Sequence, residues 1–272
     1  MWWLPSAIAR SGNRPQLAGF SLGTSSTFLV CLLDNGLMEE KYSARELHSN
    51  MNALMSAAPL FAGLPQAAVG KAIANVVTRS HPANQLILLE NDWGGSVYFI
   101  LNGWVKIRTY NMDGKEVTLN ILGQGELFGE MAALDQVPRS TDVITLTPTM
   151  MGSIPSQDFV QLVKTEPMAG VRLAQLMAKR LRQLNRRLRL RESDSVSRVA
   201  DTLIFLAEGQ GKPKAQGTEI PNLPHRELSS LSGLARETVT RVLTKLEKKG
   251  LILREHDLLI IPDLAALEDI IA

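Results

Sequence analysis

Between residues 85 and 154 the chain alternates short apolar runs with turn-forming residues. Gln85–Leu89, Val97–Leu101, Trp104–Tyr110 and Val117–Leu122 are strand candidates. Asn91-Asp92, Asn102-Gly103, Asp113-Gly114 and Gly123-Gln124-Gly125 punctuate them. Val143–Leu146 and Met151–Ile154 add two more. Many short strands at this spacing predict a sandwich or barrel. Ahead of them, residues 1 to about 48 show no sustained period. They are expected to be loose, or weakly packed around Phe28–Leu33, and Met38 or Met51 is an alternative beginning. Ala53–Asn75 reads as short helices broken at Pro59 and Pro65.

After the strands the period becomes helical. A helix starts at Asp158 and is interrupted near Pro167, and a long one then runs to about Arg191. Ala174, Met177, Leu181, Leu184 and Leu188 alternate steps of three and four, as a coiled-coil seam does. Either this seam joins two copies of the chain or it is the core stripe of a monomer. Leu173 and Leu176 lie off it and can pack on the strands. Arg182, Arg186, Arg187 and Arg189 crowd the opposite face and are expected in water. Glu192–Asp194 reads as a hinge and Val196–Glu208 as an amphipathic helix. Residues 209–224 read as a loop with a short strand near Ile220. A helix at His225–Leu231, a Gly-containing turn and a second helix at Ala235–Lys249 follow, with Gly250 just past its end. Leu251–Arg254 and Leu258–Ile261 form a hairpin behind them.

Charge changes the picture more than composition does. The net charge is only +2, but His81–Val160 holds nine acidic and four basic residues, and Gln161–Arg191 one acidic and nine basic. Pro221–Gly250 holds three acidic and six basic. A basic back half points to an anionic polymer or surface. An apolar fraction of 45% is enough for buried cores. No apolar run approaches the roughly 20 residues that span a bilayer, and the first residues lack the ordered regions of a secretory signal. The single cysteine, Cys31, excludes an internal disulfide and a cysteine-ligated cluster. A cytoplasmic chain with no membrane partner is the expectation.

Two stretches carry chemistry. GELFGEMAALDQVPRST, residues 125–141, can make one short helix after Gly129. A helix N-terminus offers N–H groups to an anion. Arg139 suits a phosphate, Ser140 can add a hydrogen bond, and Glu130 suits a ribose hydroxyl. That describes a mononucleotide site, although a Glu130–Arg139 ion pair pinning a loop fits the same residues. In the back half, the second helix of the helix-turn-helix opens on Arg236 and Glu237, with Arg241 about one and a half turns further. Arg suits guanine and Glu suits cytosine in a major groove. Val239, Val242, Leu243 and Leu246 would hold that helix on its domain. There is no phosphate-loop lysine motif, no metal-ligand cluster and no nucleophile–base pair at recognisable spacing, so an enzyme is not expected.

From about Ala53 to Leu264 the chain resembles the cAMP receptor protein/FNR family of bacterial transcription regulators. FGEMAALDQVPRST is similar to that family's phosphate-binding cassette and LARETVTRVLTKLEKKGLI to its recognition helix. The resemblance implies an α+β chain. Residues 1–50 would be an extension, 51–165 a cyclic-nucleotide-binding, jelly-roll-like β-roll, 166–192 a long dimerisation helix and hinge, and 193–272 a winged helix-turn-helix. It implies that Glu130 holds the ribose 2′-OH and that Arg139 and Ser140 bind the cyclic phosphate, with Gly129 letting the backbone close in. Arg180 would lie near the base. Leu119, Met131, Thr141 and Asn185 complete the ligand set. Arg236, Glu237 and Arg241 would read a TGTGA-type half-site in a palindrome, Thr238 would touch a phosphate, and His225 and Arg226 join the DNA-binding set.

The implied effector is cAMP, with cGMP possible, and no metal. The implied partners are double-stranded DNA, a second copy of the chain, and RNA polymerase, for which residues 209–217 are a candidate contact. Leu184 and Asn185 stand where the family's cAMP sensor has adjacent Thr and Ser, and Ala235 stands where it has Ser. The cysteine cluster of the FNR branch is absent, so oxygen sensing by iron–sulfur is not expected. His81, beside Pro82, reads as a turn residue rather than a haem ligand. Two rivals remain: the same fold without a nucleotide, and an adaptor working through a protein partner.

Overall fold

The computed structural model describes residues 58–255 and 258–271. The expectations for residues 1–50, and the part of the Ala53–Asn75 helices before residue 58, lie outside them.

Eight strands build two four-stranded antiparallel sheets: β1 (Val77–His81), β2 (Leu86–Leu88), β3 (Ser96–Asn102), β4 (Val105–Tyr110), β5 (Glu116–Leu122), β6 (Leu127–Phe128), β7 (Asp142–Thr145) and β8 (Thr149–Pro155). The sheet orders are β1-β8-β3-β6 and β2-β7-β4-β5. First pairs with last, second with seventh, third with sixth and fourth with fifth, which is the winding of a jelly roll. All six strand candidates are present with shifted ends. Two strands were not foreseen. β1, VTRSH, has one apolar residue and pairs with β8 along its backbone, where Ser153 Oγ also donates to Val77 O at 3.2 Å. β6 is two residues long and lies inside the 125–141 stretch. His81 is therefore the last residue of a strand rather than a turn residue, paired with Thr149 and bonded through Nδ1 to Gln85 Oε1 at 3.0 Å.

The β-roll core is Val97, Phe99, Leu127 and Ile154, with Phe61 stacked on Phe99 at 5.0 Å between centroids. Helices α1 (Gln66–Ile73), α2 (Glu130–Asp135) and α3 (Ser156–Thr165) border the roll. Helix α4 (Pro167–Arg189) follows with Pro167 at its start, where a missing N–H costs nothing. Leu173 is buried in the β-roll core and Leu176 packs against it, as their off-seam positions predict, and Met177, read as part of the seam, packs there too. Leu181, Leu184 and Leu188 remain 58%, 41% and 58% exposed.

Beyond a 3-10 turn at Leu190–Glu192 comes α5 (Ser195–Gln210). Asp194 caps it, accepting from Val196 N at 2.7 Å, Ser197 N at 3.2 Å and Ser197 Oγ at 2.9 Å. The Ser197 hydroxyl, then the two N–H groups, hold this carboxyl below its ordinary value. A depressed carboxyl stabilises the fold above its unfolded value of about 3.9, and the effect is lost as the pH falls through the folded value. Asp194→Ala is expected to cost about 1 kcal/mol at neutral pH. In thermal unfolding the gap from wild type should narrow once the pH drops below that of the free carboxyl.

The expected one-sided character of 196–208 is corrected by the structure: every residue from Val199 to Ala207 is buried. The back domain packs α6 (His225–Ser232), α7 (Arg236–Lys248) and α8 (Leu264–Ile271) around this helix. Ile121 of β5, with Trp104 beside it, enters the same core from the β-roll side. Helix α8 was not foreseen; it seats Leu267 in that core. A small sheet in the order β11-β12-β10-β9 completes the domain, from β9 (Lys212–Lys214), β10 (Gly217–Pro221), β11 (Leu253–Arg254) and β12 (Leu258–Ile261). Of the expected loop at 209–224, Gly209 and Gln210 end α5, and β9 and β10 pair as a β-hairpin, β10 holding the strand expected near Ile220.

The two domains touch through polar contacts as well. Lys106 Nζ bonds Glu116 at 2.6 Å and Glu227 of α6 at 3.0 Å, and Thr118 Oγ1 lies 2.6 Å from Ser230 Oγ. Arg186 pairs with Asp201 and with Glu208, and Arg187 packs on Phe205. These two arginines are not in water as expected, because α5 supplies both acids and an aromatic face. Arg182 and Arg189 are exposed.

Candidate functional site

The turn after β6 sets the first site. Gly129 adopts φ +82, which L side chains rarely adopt, and a Cβ there would lie 2.7 Å from Arg139 Nη1. Gly94 is just as constrained, because a Cβ would collide with Arg139 Nη2. Two glycines thus leave room for one guanidinium. Arg139 is only 4% exposed, and it donates from Nη1 to Gly129 O and from Nη2 to Ser96 O, both at 2.7 Å. No carboxylate pairs with it. Burial pushes its pKa down, opposed by Tyr98 and Glu130. A buried cation held by two carbonyls is under-compensated, and an anion in front of it would supply the missing charge.

The Glu130–Arg139 ion pair of the alternative reading does not form. Glu130, 3% exposed, pairs with Arg180 of α4 at 2.9 Å. Arg180 also donates to Leu127 O at 2.6 Å. Arg180 thus orients Glu130, and the second carboxylate oxygen is not engaged by Arg180.

Between these groups lies a cavity of about 240 Å³. Of the nine ligand-site residues, Leu119, Gly129, Glu130, Met131, Arg139, Ser140, Thr141 and Arg180 line it, and Asn185 does not. Asn185 is exposed on α4, one residue past Leu184, which does line the cavity. Four buried polar atoms on cavity-lining residues have no protein partner: Arg139 Nε, Arg180 Nε, Arg187 Nε and Asn120 Oδ1. An acceptor in Glu130, a buried cation and apolar walls suit a small, hydroxylated anion carrying a flat apolar group. Asn120 and Arg187 were not singled out from the sequence. The available signal was an amide side chain within the mainly apolar strand 117–122, and an arginine seven positions beyond Arg180 on the same helix face.

The second site is α7. Val239, Val242, Leu243 and Leu246 are its buried stripe, as the period predicts. Arg236, Glu237 and Arg241 are exposed on the opposite side. Thr238 sits between them and accepts from Arg241 Nη2 at 3.3 Å. The preceding turn is fixed by Gly233 in the left-handed region and by Arg198, which donates to Ser232 O and Gly233 O. His225 Nδ1 lies 2.8 Å from Thr240 Oγ1, so it braces α6 against α7, while Arg226 is exposed and bonds Glu227. Burial, then Arg254 and Arg236, push the His225 pKa down. Among the described residues there is no group of three or more metal-ligating side chains, and no helix is long and apolar enough to cross a membrane.

Residues 78–166 match the cyclic nucleotide-binding domain family, and residues 197–270 match the Crp-like helix-turn-helix domain family. The chain is 34% identical over 218 residues to the cyclic AMP receptor protein of Thermus thermophilus, covering 79% of this chain and 98% of that one. It is 28% identical over 215 residues to the CRP-like cAMP-activated global transcriptional regulator of Mycobacterium tuberculosis, covering 78% and 96%. The solved structure of the c-di-GMP responsive global regulator CLP of Xanthomonas campestris is 25% identical with a TM-score of 0.58, covering 73% of this chain and all of that one. The chain belongs to the Crp/Fnr family of transcription regulators, with a cyclic-nucleotide-binding domain ahead of a Crp-like helix-turn-helix.

Proposed function

We propose that this regulator is a homodimer that answers to a cyclic purine nucleotide, cAMP in the first instance, and reads a palindromic TGTGA-type site. The observation that carries the ligand is Arg139: buried, without a carboxylate partner, with an unpartnered Nε, and on the wall of a cavity that Glu130 and Ser140 also line. Arg139 and Ser140 take the cyclic phosphate, Gly129 lets the backbone close on it, and Glu130, oriented by Arg180, accepts from the ribose 2′-OH. Met131, Thr141 and Leu119 enclose the ligand. The choice of cAMP is supported by relatives named as cAMP-activated.

The dimer is supported by the exposed stripe Leu181, Leu184 and Leu188 on α4, an apolar seam with charged neighbours. On that arrangement Asn185 reaches the ligand from the second copy. Two copies of α7 then present Arg236, Glu237 and Arg241 to half-sites about one helical turn apart, with Thr238, His225 and Arg226 towards the backbone. RNA polymerase is the partner expected of an activator, and the cytoplasm the expected compartment. Ligand binding changes DNA affinity only through unequal affinity for the DNA-competent and incompetent states.

Calorimetric titration of the full chain with cAMP and then cGMP, followed by sedimentation and retardation of a two-fold symmetric duplex, tests this reading. The expected result is saturable heat with at least one nucleotide, a particle of twice the 29.9 kDa chain mass, and duplex binding tightened by that nucleotide. No heat with either nucleotide would remove the effector, and a monomer that still retards the palindrome would remove the dimer.

A further inference from the structure

On the proposed reading, Glu130 and Arg180 mark the ribose end of the cavity. Helix α4 continues past Arg180 on the same face to Leu184 and Arg187, four and seven residues on. At 1.5 Å per residue Arg187 lies about 10 Å further along the axis. That is roughly the reach from a ribose to the far edge of its base. Arg187 donates from Nη2 to Leu119 O at 2.7 Å, and its Nε is buried without a protein partner. Asn120, next to Leu119, has its Oδ1 buried without a partner. Both residues line the cavity. An unused donor and an unused acceptor thus belong to two cavity-lining residues, one of them further along α4 than Arg180. A purine edge carries both complements, a ring nitrogen or carbonyl and an N–H.

The other side of Arg187 faces the DNA-binding domain. Its guanidinium stacks 4.6 Å from the ring centroid of Phe205, which is 4% exposed in the core around α5. Burial pushes this guanidinium below its usual pKa, with Asp201 pulling the other way.

We propose that Arg187, with Asn120, reads the base of the nucleotide, and that Arg187 passes occupancy of that end to the DNA-binding domain through Phe205. Arg187 thereby supplies the polar contact that Leu184 cannot make. A ligand that draws Nε toward its base repositions the same planar group that lies on Phe205. The inference rests on the cyclic-nucleotide reading, and the experiment separates the two.

The full chain and its Arg187→Leu, Asn120→Leu and Arg139→Leu variants are titrated with cAMP and cGMP, and duplex affinity is measured at zero and saturating nucleotide. Arg139→Leu should weaken both nucleotides by the same factor. Arg187→Leu and Asn120→Leu should each change the cAMP-to-cGMP affinity ratio about tenfold, the size of one lost base contact. A purely structural role would leave that ratio alone. Arg187→Leu should also cut the nucleotide-dependent gain in duplex affinity about fivefold at saturation, whereas Asn120→Leu keeps the gain. Arg187→Lys, which retains a cation over Phe205 but has no Nε–H, should change the ratio with native melting. Ratios within twofold of wild type in the Arg187 and Asn120 variants, or an unchanged duplex gain in Arg187→Leu, overturn the proposal while leaving the site reading intact. Failure of the wild type to bind either nucleotide overturns both.

Discussion

Arg139→Leu raises the nucleotide dissociation constant about 100-fold or more. The reasoning is electrostatic. Arg139 is 4% exposed and is held by two carbonyls rather than by a carboxylate, so its charge is largely unspent. A phosphate that meets it gains charge-assisted hydrogen bonds worth about 1.5–3 kcal/mol each relative to solvent. Losing the guanidinium forfeits about 3 kcal/mol, which is two factors of ten. Leucine is too short to replace the guanidinium and leaves Gly129 O and Ser96 O without these donors, so some stability is lost as well. Gly94→Ala is the complementary variant: it keeps the arginine but places a methyl group against Nη2. Its affinity should fall in the same direction while both carbonyls retain a nearby donor. Calorimetry with melting as a control checks the pair. Unchanged affinity in both variants would mean that the phosphate sits elsewhere.

Much of this cavity is legible because its parts are close in sequence. Gly129, Glu130, Arg139 and Ser140 fall within twelve consecutive residues, and their types suit an anion and a hydroxyl as well as an ion pair. The helix-turn-helix is legible for a similar reason: the apolar stripe of α7 repeats at helical spacing and the exposed side carries what a major groove needs. What escapes is set by packing between distant segments. Arg187 looks like any of four arginines on a charged helix face. Only the arrival of Phe205 and β5 separates it from Arg182 and Arg189, which stay exposed.

Helix α5 fails for the same reason. A helical period shows one buried face, but this helix is covered by α6–α8 on one side and by the β-roll and α4 on the other. Its Asp201 is buried because Arg186 is brought to it. Strand β1 fails differently. Backbone hydrogen bonds to β8 hold VTRSH in the sheet, and such bonds leave no mark on side-chain pattern.

The largest expected effect is on DNA. Arg241→Ala should lower affinity for a palindromic site roughly 1,000-fold while changing affinity for unrelated duplex much less. One bidentate arginine–guanine contact is worth about 1–3 kcal/mol of discrimination. The proposed homodimer would carry the substitution at both half-sites, so about 2 kcal/mol per site becomes about 4 kcal/mol in all. Val239, Val242 and Leu243 hold α7 on its domain, and Arg241 projects from the exposed side, donating to Thr238 Oγ1. Removing its side chain therefore takes away a reader without loosening the helix. Arg236→Ala should act alike, since Arg236 opens α7 and is equally exposed. A lysine that neutralises phosphate behaves otherwise: Lys245→Ala, on the exposed face one turn beyond Arg241, should weaken all duplexes alike and reduce the salt slope. Retardation at several salt concentrations, on specific and scrambled duplexes, separates the two classes. Equal losses of Arg241→Ala on both duplexes would make Arg241 a backbone contact and move base reading to another part of α7.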